Sequence, residues 1–387
     1  MFQSPLHIVH IASAFVAGTF NSVRQLANIQ SDMGHQVTVI HKNEQLPDDK
    51  LIGFRPSVQL LPWDIDREVN LSRDFPLILA LRQELMRLGP DIVHCHSSKS
   101  GVIGRLAAFT LNLPQVYSPR GLSFFREDVS AFKRAVYRSA EYVCGHLGGV
   151  SVGCSSDELL ALRTVSGRTA LIQNGLDLDE INAVLEPIIR EKKSKNNFIT
   201  VALSGRISPQ KNPATVASLV RKSPADWRWL WIGDGEEGDL IRETNRVEIT
   251  GWVDRRETLV RLASADIFFH PARWEGMPLA LMEAMAVGLP VVASDIVGNR
   301  DLIRHGQNGF ITSSDAEMFD HLSTLADVPG LRRSMGAASA KTIEDHYSAQ
   351  GLSNAWLSIY RHEMLRVKTK SQRRGHRARD ERTSLAG

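Results

Sequence analysis

Residues 270–301 read HPARWEGMPLALMEAMAVGLPVVASDIVGNRD and form the most informative stretch of the chain. Pro278 suits the beginning of a helix and Gly288 suits the position after its end, which predicts a short helix over 278–287. Small residues before that helix let the backbone approach a ligand, and the unpaired N–H groups at a helix start bind anions. The stretch therefore predicts an anion site where a strand gives way to a helix.

Two carboxylates and two cations accompany this helix. Glu275 precedes the helix and Glu283 lies within it, and carboxylates accept paired hydrogen bonds from the vicinal hydroxyls of a ribose or a sugar. Upstream, SGRISPQK contains Arg206 and Lys211 after another strand, where they could neutralise a diphosphate. Taken alone, these cations are more often surface charges than ligands, and the two acids could be solvated. Their combination favours a nucleotide-sugar site.

Farther out, short apolar runs alternate with amphipathic stretches along most of the 387 residues. Strands that alternate with helices form parallel sheets with helices on both faces, so the sequence predicts an α/β fold of two doubly wound, Rossmann-like domains. The predicted strands are 6–11, 37–40, 91–96, 115–118, 149–154 and 169–173 in the first domain, and 198–204, 227–232, 247–250, 266–270, 290–294 and 309–312 in the second. A charged stretch, EKKSKNN at 191–197, separates the two series.

The segments and their charges suggest a division of the chain. We expect domains over 1–190 and 198–347, a helix over 348–367 that packs back toward the first domain, and a disordered basic tail over 368–387. The chain has a net charge of +3, but 366–382 contains eight Lys or Arg and two acidic residues, so the remainder is slightly acidic. A solvated tail without a partner is the simpler interpretation of this charge, and an anionic membrane surface, rather than nucleic acid, is the partner that it would otherwise suit.

Composition excludes several classes of protein. With 43% hydrophobic and 23% charged residues, the chain is neither disordered nor a long coiled coil. No apolar run reaches the roughly 18 residues of a membrane span, and the N-terminus lacks the basic start of a signal peptide. Three scattered cysteines favour a reducing compartment. We therefore expect a cytoplasmic protein, peripheral at most on the inner face of the membrane.

Together these motifs resemble the retaining GT-B glycosyltransferases grouped as family 4. The resemblance rests on the two glutamates in EGMPLALMEA, on SGRISPQK, and on GHQV, DIVH and NGLD at 34–37, 91–94 and 174–177. It implies two Rossmann-like domains facing across a cleft, with the acceptor on the first and the nucleotide sugar mostly on the second. The implied reaction moves a sugar to a saccharide or lipid-linked acceptor in cell-surface polysaccharide biosynthesis.

The resemblance also implies roles for single residues. Arg206 and Lys211 would hold the donor diphosphate, Glu283 the ribose, and Glu275 the transferred sugar. Further donor-binding residues would come from the loop before the helix, from the segment beside the base and from the loop after the first strand: Gly276, Met277, Pro278, Leu279, Val253, Gly18 and Thr19.

One departure from the family pattern concerns Arg120. It stands in SPRGLSF, where many relatives have SPHGxSF, and an arginine cannot act as a neutral hydrogen-bonding partner as histidine can. We keep Arg120 as a candidate catalytic residue, although pairing with a carboxylate would equally account for it. Three alternatives stay open: a sugar-nucleotide epimerase of the same architecture, an NAD-dependent enzyme that uses GDGEEG at 233–238, and a catalytically impaired binding protein.

Two further patterns have competing interpretations. His94, Cys95 and His96 have the look of metal ligands, but on a strand the two histidines point one way and the cysteine the other, and no second ligand pair is evident. We predict no metal and no cofactor beyond the donor, with His96 structural or in contact with the acceptor. The stretch 130–147 predicts an amphipathic helix, for which core packing is favoured over a membrane surface.

Overall fold

The computed structural model describes residues 4–13, 17–42, 53–65, 71–126, 128–191 and 198–384. They form two parallel sheets, each covered by helices, which confirms the α/β fold of two doubly wound domains. Of the charged stretch between the domains, residues 192–197 lie outside the described residues. None of the described helices is long and apolar enough to cross a membrane.

The first domain is built on seven parallel strands. They are β1 (His7–Ala12), β2 (Gln36–Lys42), β3 (Val58–Trp63), β4 (Ile92–His96), β5 (Gln115–Ser118), β6 (Val150–Gly153) and β7 (Thr169–Leu171). Its helices are α1 (Ala17–Asp32), α2 (Leu71–Leu88), α3 (Ser98–Thr110), α4 (Ala131–His146), α5 (Ser156–Arg163) and α6 (Leu178–Glu191). The strand order is β3-β2-β1-β4-β5-β6-β7, which places β1 between β2 and β4.

Strand β3 is missing from the sequence prediction. It contains Pro62, and a proline inside an apolar run counts against a strand because it cannot donate to the sheet. In the structure β3 is the edge strand of the sheet, where proline is tolerated. Pro62 therefore explains both why the strand was not predicted and why it lies at the edge of the sheet.

The second domain contains six parallel strands, all in the predicted places. They are β8 (Ile199–Ser204), β9 (Trp227–Ile232), β10 (Val247–Ile249), β11 (Ile267–His270), β12 (Val291–Ser294) and β13 (Gly309–Thr312). Its helices are α7 (Pro213–Lys222), α8 (Gly238–Arg242), α9 (Arg255–Ser264), α10 (Leu279–Ala286), α11 (Asn299–Leu302), α12 (Asp315–Asp327) and α13 (Pro329–His346). The order β10-β9-β8-β11-β12-β13 brings the carboxyl ends of β8 and β11 side by side.

The last helix, α14 (Ala349–Ser384), returns to the first domain. Its side chains Trp356, Leu357 and Tyr360 are buried in an apolar cluster with residues of the first sheet. The expectation of a disordered tail from residue 368 is wrong as far as Ser384, because the helix continues there. Lys, Arg, Gln and Ala have high helix propensity, and they extend a helix that packing has already started.

Helix α4 also differs from its expected packing. Its buried residues are Glu141 and Cys144, whereas Phe132 and Val143 are exposed. The helix attaches to the domain through an ion pair between Glu141 and the buried Arg105. Its apolar side therefore faces solvent, and the prediction of core packing is wrong.

Candidate functional site

The loop between β11 and α10 is the centre of the candidate site. The N–H of Arg273 donates to the Gln210 carbonyl oxygen at 2.9 Å, and the Gln210 side-chain amide donates to the Trp274 carbonyl oxygen at 2.9 Å. The helix begins at Leu279 after Pro278, and no side chain caps its start. Its first N–H groups are consequently available to an anion, and their dipoles favour negative charge there.

Lys211 and Glu275 meet across the adjacent ends of β8 and β11. The Lys211 Nζ lies 2.7 Å from Glu275 Oε1, and both side chains keep about 15% of their surface exposed. Gly205, with φ +124°, shapes the preceding turn, since a Cβ there would lie 3.0 Å from Lys211 Cε. The structure thus brings together two predicted site residues that are distant in sequence.

Arg206 lies in the same turn and contacts neither Lys211 nor Glu275 through a hydrogen bond or ion pair. Its side chain is exposed and forms no hydrogen bond or ion pair with the described residues. The guanidinium is therefore free to pair with an anionic ligand that enters the cleft.

Glu283 is buried and paired with an arginine that the sequence prediction missed. Arg255 NH1 bonds to Glu283 Oε1, and Arg255 Nε lies 3.2 Å from Glu180 Oε1. Burial alone would lower the pKa of Arg255, but the two carboxylates raise it above its usual value. The only signal in the sequence is DRRE at 254–257, after the segment expected beside the base.

The loop before α10 contacts the first domain closely. A Cβ on Gly276 would lie 3.1 Å from the Gly121 nitrogen and 3.2 Å from Cys154 Sγ. The Asn174 side-chain amide donates to the Met277 carbonyl oxygen at 2.8 Å. Backbone atoms from both domains therefore meet at the predicted donor loop.

Arg120 joins this contact from the first domain. Its NH1 donates to Asn174 Oδ1 at 2.5 Å, so Asn174 bridges Arg120 and Met277. The Arg120 backbone has φ +56°, an uncommon conformation for a residue other than glycine. Burial lowers the pKa of its guanidinium, whose Nε has no partner among the described atoms. Arg120 therefore pairs with an amide in this conformation.

The remaining predicted donor-binding residues are Gly18, Thr19 and Val253. Gly18 and Thr19 belong to the first turn of α1 and not to a loop, because that helix begins at Ala17. Residues 14–16, which precede them, lie outside the described residues. Val253 is half-buried and packs against the apolar core of the second domain.

His96 belongs to a buried cluster of three histidines. His96 Nε2 lies 2.9 Å from His10 Nδ1, and His94 hydrogen-bonds with Tyr360 and Ser118. Burial lowers the pKa of all three rings, that of His10 to about 4. In this conformation His96 is fully buried and does not reach the cleft surface. Its contact with an acceptor stays a prediction.

The same three histidines are the place where a metal ion could be considered. One nitrogen from each lies within 4.8 Å of the others. However, both nitrogens of His10 and of His94 already bond to protein groups, which leaves His96 Nδ1 without a partner among the described atoms. The positive charge of Arg120 also acts on all three rings. The donor set is that of a hydrogen-bonded core rather than a convergent metal site.

The GDGEEG segment is a strand-to-helix turn. Gly233 has φ +133°, and a Cβ there would lie 2.4 Å from the Gly205 carbonyl oxygen. Two neighbouring turns therefore pack backbone against backbone, and the helix that follows, α8, has five residues. The glycines serve this packing, and the Asp234 carboxylate is paired with Arg242.

His270 is a further residue of the site that the sequence prediction did not assign. It ends β11, is 1% exposed, and its Nε2 has no partner among the described atoms. Burial, and then the charge of Lys211, hold the pKa of His270 well below its usual value. A buried, neutral imidazole thus lies within electrostatic range of Lys211.

The model for "Glycosyltransferase Family 4" matches residues 16–180, and that for "Glycosyl transferases group 1" matches residues 200–327. A relative from Escherichia coli, UDP-Gal:alpha-D-GlcNAc-diphosphoundecaprenol alpha-1,3-galactosyltransferase, is 30% identical over 63% of this chain and 68% of its own length. The chain belongs to the family 4 glycosyltransferases.

Solved structures show that this glycosyltransferase has the GT-B fold. Sucrose-phosphate synthase from Thermosynechococcus elongatus superposes with a TM-score of 0.78 at 19% identity, covering 92% of this chain and 98% of that one. Anabaena HepE in complex with UDP and glucose gives 0.74 at 18% identity, covering 91% and 98%. The predicted family, fold and class of enzyme are thereby confirmed.

Proposed function

We propose that this glycosyltransferase moves a sugar from a nucleoside-diphosphate sugar to a saccharide or lipid-linked acceptor, with retention of configuration, in cell-surface polysaccharide biosynthesis. The observation that carries the proposal is the Lys211–Glu275 pair, whose Nζ and Oε1 lie 2.7 Å apart beside the uncapped start of α10. A cation, a carboxylate and unpaired backbone N–H groups at one strand edge suit a sugar diphosphate.

The diphosphate would lie against the cations. As the bond between the anomeric carbon and the phosphate oxygen breaks, negative charge develops on the departing nucleoside diphosphate. Lys211, Arg206 and the first N–H groups of α10 would stabilise that charge, and because they are already in place no solvent needs to reorganise around it. Removal of one such contact typically costs about a hundredfold or more in kcat.

The carboxylates would hold the hydroxyl groups of the donor. Glu283 shares one oxygen with Arg255 and keeps the other for the ribose hydroxyls. Glu275 is already neutralised by Lys211, so we assign it to the hydroxyls of the sugar and not to a covalent nucleophile. The acceptor oxygen then attacks from the face that the diphosphate leaves, its proton passes to the departing phosphate, and configuration is retained.

The acceptor is inferred from the name of a relative, and the location of the enzyme from the basic residues of α14. The name of the Escherichia coli relative contains a diphosphoundecaprenol acceptor, which supports a lipid-linked saccharide here. Lys368 and Lys370 of α14 are exposed, and each basic residue near an anionic membrane contributes about 1 kcal/mol. We place the enzyme at the inner face of the cytoplasmic membrane, with no metal and no nucleic acid as partner.

A donor screen tests the proposal. Purified protein is melted with UDP-, GDP- and ADP-sugars and with NAD(P), and a shift with one nucleotide sugar is expected. Lys211→Ala should abolish that shift, whereas the exposed Lys341→Ala of α13 should keep it. A shift with NAD(P) alone would contradict the proposal. Turnover of the donor without an acceptor, giving an epimerised nucleotide sugar, would instead identify an epimerase.

A further inference from the structure

Helix α4 turns its apolar side to solvent. Phe132 is 78% exposed, Val136 45% and Val143 58%. At 100° per residue, these three side chains lie within about 40° of one another around the helix axis. Glu141, on the opposite side, faces the protein. The stripe is therefore centred on the side of the helix that is farthest from the core.

This orientation is fixed by buried polar contacts. Glu141 Oε2 lies 2.7 Å from Arg105 NH2, and the Tyr117 hydroxyl donates to Glu141 Oε1 at 2.6 Å. The Arg105 guanidinium in turn lies 3.9 Å from the centre of the Tyr117 ring. Rotation of α4 to bury its apolar stripe would leave a buried charge without its partner, at a high cost in free energy.

The neighbouring helices extend the apolar surface. Apolar residues of α2 and α3 share one buried cluster on the side of the first sheet where Tyr117 holds α4, so the three helices form one layer. Of the fifteen large apolar side chains that are exposed in the described part of the chain, eight lie on these helices: Phe75, Leu79, Met86, Phe109, Phe132, Val136, Tyr142 and Val143. Such concentration on one side marks an interaction surface.

Positive charges border this surface. Lys133 and Arg138 are also exposed on α4, about 80° and 140° from the centre of the apolar stripe. Arg138 lines an open groove of about 460 Å³ beside Tyr142 and Val143. The Asn112 side-chain amide, just after α3, donates to Ser371 Oγ at 2.9 Å. That bond brings the basic part of α14 to the end of the same layer.

We propose that the outward side of α2, α3 and α4 is a docking surface for an anionic phospholipid bilayer. Apolar tips enter the interface while Lys133 and Arg138 pair with lipid phosphates, as in helices that lie in a membrane surface. A second copy of this chain suits the surface less well, because a two-fold contact would set the same cations against each other. The inference rests on the proposed function for a lipid-linked acceptor, and helix α4 directly follows the segment that contains Arg120.

Vesicle binding tests the surface directly. The full chain is sedimented with vesicles of phosphatidylglycerol and phosphatidylethanolamine, and with phosphatidylcholine vesicles. The double variant Phe132→Asp/Val143→Asp should lose binding to anionic vesicles by about tenfold or more, because it places charge in the apolar stripe. Val328→Asp is the matched control, since Val328 is 45% exposed on the second domain.

A label on the surface reports insertion independently of affinity. The three native cysteines are buried, so Phe132→Cys can be labelled selectively with an environment-sensitive fluorophore. Its emission should shift to the blue with anionic vesicles, whereas a label at Val328→Cys should not respond.

Three results would overturn the docking surface: equal vesicle binding by the double variant, no shift at position 132, or a wild-type dimer that the double variant dissociates. Donor-induced melting shifts are measured in parallel without lipid. If the wild type shows no donor-induced melting shift but binds vesicles as expected, the proposed function is refuted and the docking surface stands. If the donor shift occurs but vesicle binding does not depend on the apolar stripe, the docking surface alone is refuted.

Discussion

Arg255 forms ion pairs with two carboxylates, those of the buried Glu283 in α10 and of Glu180 in α6. It thereby links the second domain to the last helix of the first domain. Glu180 in turn accepts from Arg24 of α1 at 3.2 Å. Four alternating charges thus run from the first domain to the carboxylate predicted to hold the ribose. A ligand that hydrogen-bonds to Glu283 therefore competes with Arg255 and changes the ion pairs between the two domains.

Removal of Arg255 should destabilise the fold and weaken donor binding. Arg255→Ala leaves Glu283 buried without its cation, and breaking such a pair costs about 3 kcal/mol. Urea unfolding should show this loss, and the donor-induced melting shift should shrink. Arg256→Ala removes a neighbouring exposed arginine and should change the free energy of unfolding by less than about 0.5 kcal/mol. Equal effects of both substitutions would show that the ion pair is unimportant.

Asn174 is expected to matter more for catalysis than its distance in sequence suggests. Asn174→Ala removes the donor to the Met277 carbonyl and the acceptor for Arg120, so stability should fall by about 1–3 kcal/mol and kcat/KM should fall with it. Asn174→Asp keeps the acceptor for Arg120 but places a carboxylate against the Met277 carbonyl. We therefore expect stability between that of Asn174→Ala and that of the wild type, together with impaired turnover. Wild-type activity of Asn174→Asp would show that turnover does not need the bond to the Met277 carbonyl.

The second domain could be predicted well from its sequence for a physical reason. Its strands are short apolar runs, and all except the edge strand β10 have one or both faces buried by helices. Lys211 and Glu275 could be grouped because both follow strands in a parallel sheet, whose carboxyl ends share one edge. The pattern of apolar residues indicates which strands are buried and where they end. Those two properties were sufficient to predict the strands of the second domain and to group Lys211 with Glu275.

What the sequence did not reveal depends on long-range partners. Arg255 is one of two adjacent arginines, and only the packing of α9 on α10 distinguishes it from Arg256. The apolar stripe of α4 showed amphipathicity, but periodicity does not say whether an apolar side meets the core or solvent. The answer came from Glu141, whose partner Arg105 lies 36 residues away.

The buried histidines should make stability depend on pH. Because burial lowers the pKa of His10, His94 and His96, the unfolded chain binds more protons than the folded protein once the pH falls below about 6.5. The free energy of unfolding should therefore decrease from pH 6.5 toward the pKa of His10, which is about 4. Each histidine contributes a slope of up to about 1.4 kcal/mol per pH unit, measurable by urea unfolding at successive pH values.

A pair of variants separates this titration from a general loss of packing. His10→Gln should reduce the slope by about one proton, or about 1.4 kcal/mol per pH unit. Cys95→Ala, on the other side of β4, should lower stability at every pH without changing the slope, since burial raises the pKa of its thiol to about 12. An unchanged slope in His10→Gln would show that its ring does not contribute.

Gly276 tests whether close approach of the two domains is needed for turnover. Its Cβ in Gly276→Ala would meet Gly121 and Cys154 at 3.1 and 3.2 Å, so the donor loop must move away from the first domain. A shift of that order at a reactive site lowers kcat by about tenfold or more, with little effect on urea unfolding. Gly351→Ala in α14 meets no atom within 4 Å and should raise the free energy of unfolding by about 0.5–1 kcal/mol. If Gly276→Ala turns over as fast as the wild type, the loop works without the first domain against it, and catalysis must be assigned to the second domain alone.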